Sequence, residues 1–389
     1  MTIGLTEEGV ASFGATARRH VDDGEVPGVV ALLARGDEVH VEAAGVLGGG
    51  RDPVQRDSLF RIASTTKPIT AAATLALVDE GVLDLDEPVD GLLPELASRR
   101  VLARVDSPLD DTVPATRAIT LKDLLTFTFG FGFSMEMFGE GEPIPIVAAE
   151  RAAGLYTLGA PEPDRQPPPD VWLARLGELP LIAQPGERWL YNTGASVLGV
   201  LCARAAGVPF EDVLVAKVLE PLRMSDTAMW TADAARLATA YAWTPSGLVV
   251  WDEPTGRWSR PPAFPDGAAG LVSTVDDLHR FARMLLAGGD GVVSPALVAQ
   301  MTTNQLTVEQ RRKEGGVILQ GQGWGYCQAV VTDGERAGAY GWSGGLGTTW
   351  LVDPVRDLVV IVLTQRMFSW PTPPAVHADL QAAAYEAVP

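Results

Sequence analysis

Ser64-Thr65-Thr66-Lys67 places a hydroxyl and an amine three residues apart. An Ala- and Leu-rich run follows, from about 64 to 80, and ends at Gly81. The motif therefore opens a buried helix, and both side chains fall on one face, a turn apart. Four of the 30 basic residues are lysines, and the others are arginines. Arginine keeps its proton, whereas a lysine near neutral pH can act as a base toward a serine hydroxyl. A serine at a helix N-terminus also meets backbone N–H groups and a dipole that favour developing negative charge. The chemistry that fits is nucleophilic attack by Ser64 with Lys67 as base. The same four residues also fit a capping serine beside a solvated lysine, and Pro68 biases Lys67 away from helical geometry.

Two further segments carry reactive side chains. Trp189-Leu190-Tyr191-Asn192-Thr193-Gly194 precedes an apolar helix over 195–206 closed by Gly207. Tyr191 reads either as packing or, beside a Ser–Lys pair, as a proton shuttle, since a nearby ammonium favours the phenolate. Gly341-Trp342-Ser343-Gly344-Gly345 satisfies G-x-S-x-G, the nucleophile elbow of α/β-hydrolases. That elbow needs a helix after it, then an acid and a histidine. Residues 346–364 read as strands instead, and His377 is the only histidine that follows. A Gly-rich edge strand, where small residues let a substrate approach the backbone, is the better reading. Phe127, Phe129, Phe131 and Phe133 repeat with period two, as a core strand face or as an apolar wall for a substrate. Met135, Met137 and the proline loops mark 134–180 as a candidate lid over it.

The elements that must position these residues follow from pattern. An amphipathic helix is expected over 5–22, then a hairpin of strands at 28–34 and 39–43 around Arg35-Gly36-Asp37. The middle of the chain is mostly helical patterns cut by long loops. Thr274-Val275-Asp276-Asp277 reads as a capped helix start running to about Leu286. The last hundred residues switch to strands, at 323–332, 338–342, 348–352 and 357–364, before a helix over 374–387. Strands at both ends and helices between predict an α+β fold. An antiparallel sheet is built from both chain ends and flanked by the terminal helices, with a mostly helical second lobe. Residues 1–62 and 268–389 would form the sheet domain and 63–267 the helical one, with the site in the cleft between them.

Composition narrows the partners. The 389 residues are 47% apolar and 20% charged, so a large core is available and global disorder is excluded. A net charge of −19 repels nucleic-acid phosphates and anionic lipid headgroups. No apolar run approaches a membrane span, and the N-terminal residues carry no basic and apolar leader, so the expected compartment is the cytoplasm. Cys202 and Cys327 are far apart and His20, His40, His279 and His377 are scattered. Neither set has metal-ligand spacing, so neither a metal nor another cofactor is predicted, and the expected partner is a small molecule.

The three reactive segments together resemble the serine β-lactamase and penicillin-binding superfamily, in its class C-like branch, and within it the family VIII carboxylesterases. The likeness covers most of the chain. It runs through 60–68, through Trp189-Leu190-Tyr191 with Val197-Leu198-Gly199, through Gly270–Leu278 and through Trp342–Gly345. Four departures stand out: Thr193 where the family's tyrosine motif has asparagine, Trp342 where its third motif opens with a cation, Phe127-Thr128-Phe129-Gly130 in place of H-T-S-G, and no S-D-N triplet. The resemblance implies two-step acyl transfer with Ser64, Lys67 and Tyr191 catalytic. The backbone N–H groups of Ser64 and Gly345 would form the oxyanion hole, and Trp342, Ser343, Gly344, Phe127 and Phe129 would contact substrate. A neutral Trp342 cannot pair with a substrate carboxylate, which points to a carboxylesterase acting on small uncharged esters. Arg336 or Arg366 could supply that charge from elsewhere in the fold. A β-lactamase or D-amino-acid peptidase or amidase, an acyltransferase and a catalytically silent penicillin-binding receptor are the alternatives.

Overall fold

The computed structural model describes residues 4–49, 52–137, 143–157, 159–311, 318–369 and 373–389. Its centre is a seven-stranded antiparallel sheet. The strands are β1 (Gly28–Arg35), β2 (Glu38–Gly45), β3 (Gly323–Trp324), β4 (Ala329–Val330), β5 (Tyr340–Gly344), β6 (Thr348–Asp353) and β7 (Leu358–Thr364). They lie in the order β2-β1-β7-β6-β5-β4-β3. The two chain ends meet at β1 and β7, in register from Val29 opposite Thr364 to Arg35 opposite Leu358.

Both faces of β1 are covered, and its alternation shows by what. Val29, Ala31 and Leu33 join Phe13, Ala17, Leu380 and Ala384 in one cluster, under helices α1 (Glu7–Asp22) and α5 (Ala375–Glu386). Val30, Leu32 and Ala34 turn the other way, into the main core. The period of two thus splits a continuous apolar run between two layers, as a strand buried on both sides requires. Thr6 caps α1 by accepting from Gly9 N–H at 3.1 Å, and its own N–H reaches the Ala387 carbonyl at 3.0 Å, which ties the terminal helices together. Beyond the other face stand α2 (Thr66–Asp79), α3 (Thr193–Ala206) and α4 (Val275–Leu286). Thr274 caps α4 from the Asp277 N–H, as its sequence predicts. Among the described residues no helix is long and apolar enough to cross a membrane.

Two expected strands are broken. The 323–332 segment is a hairpin, β3 and β4, because Cys327 adopts φ +60° and Gly325 N–H closes on the Gln328 carbonyl. The phenylalanine run is not a strand either. Phe127, Gly130 and Gly132 have φ of +60°, +103° and +150°, and a Cβ at Gly130 would stand 2.4 Å from the Ala183 carbonyl oxygen. Positive φ at intervals of two or three residues destroys the pleat, and of the four phenylalanines only Phe133 forms a β-bridge, with Tyr191. Within the 134–180 segment lie helices at Pro145–Ala152 and Pro169–Glu178, while 138–142 and 158 fall outside the described residues.

Candidate active site

The approach to Ser64 is braced before the serine is reached. Phe60–Arg61 pairs with Val272–Ser273, and the buried Arg61 guanidinium donates twice to Asp252 Oδ2, at 2.9 and 2.6 Å. Ala63 takes φ +44°, an uncommon value for a residue with a Cβ, and a single 3-10 turn over Ala63–Thr65 delivers Ser64 to the mouth of α2. Pro68 does not disturb this. It is the third residue of α2, within the first turn, where no intrahelical N–H bond is needed. Every residue from Thr66 to Leu77 is buried, so Lys67 enters the core with its helix.

Lys67 is fully buried, and its Nζ donates to Ser64 Oγ at 2.8 Å and to the Ala268 carbonyl at 2.9 Å. Burial pushes its amine down from 10.5 to about 7, against the upward pull of Asp266. A neutral amine is thus accessible at physiological pH, within reach of the serine proton. Asp266 is a site residue that sequence reasoning missed. Its Oδ1 accepts from Ser196 Oγ at 2.7 Å and from Ala268 N–H at 2.9 Å, so it fixes the turn whose carbonyl receives Lys67. Burial holds the Asp266 carboxyl above the ordinary carboxylate range. An acid amid the apolar, glycine-rich stretch 264–272 was the available signal.

Tyr191 lies beside this pair. Its hydroxyl hydrogen-bonds Ser64 and accepts from Trp342 Nε1 at 2.6 Å, and Lys67 Nζ stands 4.7 Å from the phenol ring centre. Burial pushes the phenol above its ordinary value, so the resting tyrosine is protonated. Desolvation outweighs the hydrogen bonds with Ser64 and Trp342, which pull the other way. Trp342 packs edge-on against Trp324 at 4.7 Å between ring centres, and Trp189 and Phe127 close the cluster behind Tyr191 at 5.6 and 6.0 Å. Trp324, unmarked by any motif, was also missed.

The third motif meets Ser64 from the sheet side. A Cβ at Gly344 would fall 2.1 Å from the Ile62 carbonyl oxygen, so only glycine lets β5 close on the serine's turn. Thr348 Oγ1 donates to that same carbonyl at 3.0 Å. Around the Gly345 Cα there is open space, and its carbonyl accepts from Phe368 N–H at 2.9 Å. Ser343 pairs with Thr349 within the sheet, and a turn to β6 follows instead of a helix. His377 sits in α5 against Thr349 Oγ1, and burial lowers its pKa to about 3, so no nucleophile elbow forms. Phe127 and Phe129 are fully buried rather than offering an open wall, and Phe127 packs edge-on against Tyr191 from within. Arg366 lies over the Trp243 ring and donates to the Glu25 carbonyl, and Arg336 lies over Tyr385, so both guanidinium groups are engaged outside the Ser64–Lys67–Tyr191 cluster.

Comparison with known proteins agrees with this geometry. The sequence matches the family described as Beta-lactamase over residues 13–384. The chain belongs to the beta-lactamase family. This beta-lactamase-family chain is 41% identical to Protein Rv1367c of Mycobacterium tuberculosis, over 80% of this chain and 79% of the relative. It is 32% identical to Esterase EstB of Burkholderia gladioli, over 92% and 90%. Its fold is that of EstCE1, described as a hydrolase with promiscuous acyltransferase activity, at a TM-score of 0.81 and 24% identity over 97% of this chain and 99% of the other.

Proposed function

We propose that this beta-lactamase-family serine hydrolase is a carboxylesterase that acts through an acyl-enzyme on Ser64. The observation that carries the reading is the buried hydrogen-bonded unit of Ser64, Lys67 and Tyr191, with an amine near 7 at its centre. Neutral Lys67 takes the Ser64 proton as Oγ attacks the ester carbonyl. The N–H groups of Ser64 and Gly345 receive the oxyanion, and each such donor is worth about 2.7–4 kcal/mol of barrier. Tyr191 then passes its proton to the leaving alkoxide and is recharged from the Lys67 ammonium. Water enters by the reverse relay and releases the acid, which returns Ser64 to its hydroxyl form.

The substrate class follows from Trp342. Its one N–H already donates to the Tyr191 oxygen. It therefore serves the proton relay and leaves no cation at this position for a substrate carboxylate. Small uncharged esters suit such a site better than penicillins or cephalosporins, and the esterase relative supports the same choice. The test is kcat/KM for p-nitrophenyl butyrate against nitrocefin. The ester value should be the larger; a nitrocefin value equal to or above it overturns the esterase reading in favour of a β-lactamase.

A further inference from the structure

We infer that Asn192 is a positioning residue that aims Tyr191, a role that rests on the reading of Tyr191 as the proton carrier. The chain is extended up to Tyr191, whose N–H and carbonyl bridge Phe133 at 2.9 and 2.8 Å, and α3 begins at Thr193. The whole change of direction therefore falls on one residue. Asn192 has φ +82° and ψ −64°, and the Thr193 N–H reaches back to the Tyr191 carbonyl at 3.2 Å. That is a γ-turn of the rare, strained hand, at a residue with a Cβ.

Such a conformation persists only where the surroundings hold it, and the holder here is specific. Asn192 Nδ2 donates to the Thr157 carbonyl at 2.7 Å. Thr157 is itself pinned, its N–H and Oγ1 both donating to the buried Glu150 Oε1 at 2.6 and 3.0 Å. The tie runs from a fixed point in the helical lobe to the residue next to the tyrosine. If Asn192 relaxed toward negative φ, the peptide between 191 and 192 would rotate. The phenol oxygen would then leave its 2.6 Å contact with Trp342 and its bond to Ser64. Asparagine suits the place twice over, because it tolerates left-handed backbone and carries the donor.

Four variants of the full-length protein test this: Asn192→Gly, Asn192→Asp, Tyr191→Phe and Tyr191→Phe/Asn192→Gly. Glycine keeps the positive φ but loses the tie. Aspartate keeps the shape but offers oxygen where a donor is needed, so it serves if the glycine variant does not fold. With p-nitrophenyl butyrate, each Asn192 single variant should lose about 10- to 100-fold in kcat, as expected for a misplaced catalytic group, while KM stays within about twofold. In the Tyr191→Phe background the glycine change should cost no more than about twofold, because a positioning residue has nothing left to aim. Near-native kcat in both Asn192 variants, or fully additive losses in the double variant, overturns the inference. Native turnover by Tyr191→Phe alone overturns the assignment of Tyr191, and the inference falls with it.

Discussion

Replacing Lys67 with methionine separates what the lysine does for the reaction from what it costs the fold. The side chain is fully buried, and its amine titrates near 7 rather than 10.5. That gap of about 3.5 units corresponds to about 5 kcal/mol for carrying the charge inside the protein, at about 1.4 kcal/mol per unit. The sign is set by proton binding. Between pH 7 and 10.5 the unfolded chain holds a proton that the folded chain lacks, so stability rises with pH through that window, and the penalty is complete below about 7. Methionine removes the charge and nearly fills the space, but it forfeits the bonds from Nζ to Ser64 and Ala268, at about 1 kcal/mol each or somewhat more where a buried carbonyl loses its donor. The variant should therefore be more stable than the parent at pH 7 by about 1–3 kcal/mol. Urea unfolding followed by tryptophan fluorescence at pH 7 and pH 10, beside an ester assay, measures both effects. The expected outcome is a stabilised, inactive protein whose advantage shrinks by pH 10. A variant less stable than the parent at pH 7, or a difference that ignores pH, would refute the buried-amine argument.

Other perturbations address the remaining parts of the site. In the parent enzyme, kcat/KM for p-nitrophenyl butyrate should fall about tenfold per pH unit below about 7 and level off above it, as protonation removes the base; a flat profile from 5 to 8 contradicts this. Asp266→Asn should move that acid limb to lower pH, because the carboxylate supports the Lys67 ammonium, and an upward shift would reverse its assigned influence. Trp342→Phe keeps the ring packing but removes the donor to Tyr191, so kcat should drop about 10- to 100-fold, the worth of a hydrogen bond to the phenolate formed when Tyr191 gives up its proton; unchanged kcat counts against the relay. Ser64→Ala should abolish fluorophosphonate labelling while Ser343→Ala retains it, and mass spectrometry that places the adduct on Ser343 would reverse the nucleophile.

The sheet and its terminal helices were legible because their signals are local and strong: β1 and β7 are unbroken apolar runs, α1 is amphipathic, and α4 announces itself with a capping threonine. The meeting of Ser64, Lys67 and Tyr191 was legible because each sits at the start of a buried helix or just before one. What failed was whatever depends on backbone handedness. The phenylalanine repeat has a strand's period, but left-handed residues at 127, 130 and 132 override it, and the alternating glycines were the warning. Asp266 was hidden for another reason. Its partners, Ser196 and Ala268 N–H, lie on opposite sides of a sequence gap that no periodicity spans. The role of Trp342 was half visible. Its lack of charge could be read from its type, whereas the direction of its single N–H toward Tyr191 required the structure.

The clasp between the nucleophile's turn and the sheet has a consequence for the order in which the protein becomes competent. Thr348 Oγ1 and the Ile62 carbonyl are 286 positions apart, and Gly344 presses on the same carbonyl. A ribosome releases Ser64 and Lys67 early, and the body of α2 can form while hundreds of residues are still to be made. The strand that seats Trp342 against Tyr191 emerges near the end, and its sheet joins the first hairpin only through β7 on β1, which closes a very long loop. A nascent chain stalled before Tyr340 thus carries its proposed nucleophile and base yet lacks the strand against which a substrate would lie. Catalytic competence should arrive abruptly with the last strands, rather than grow with chain length.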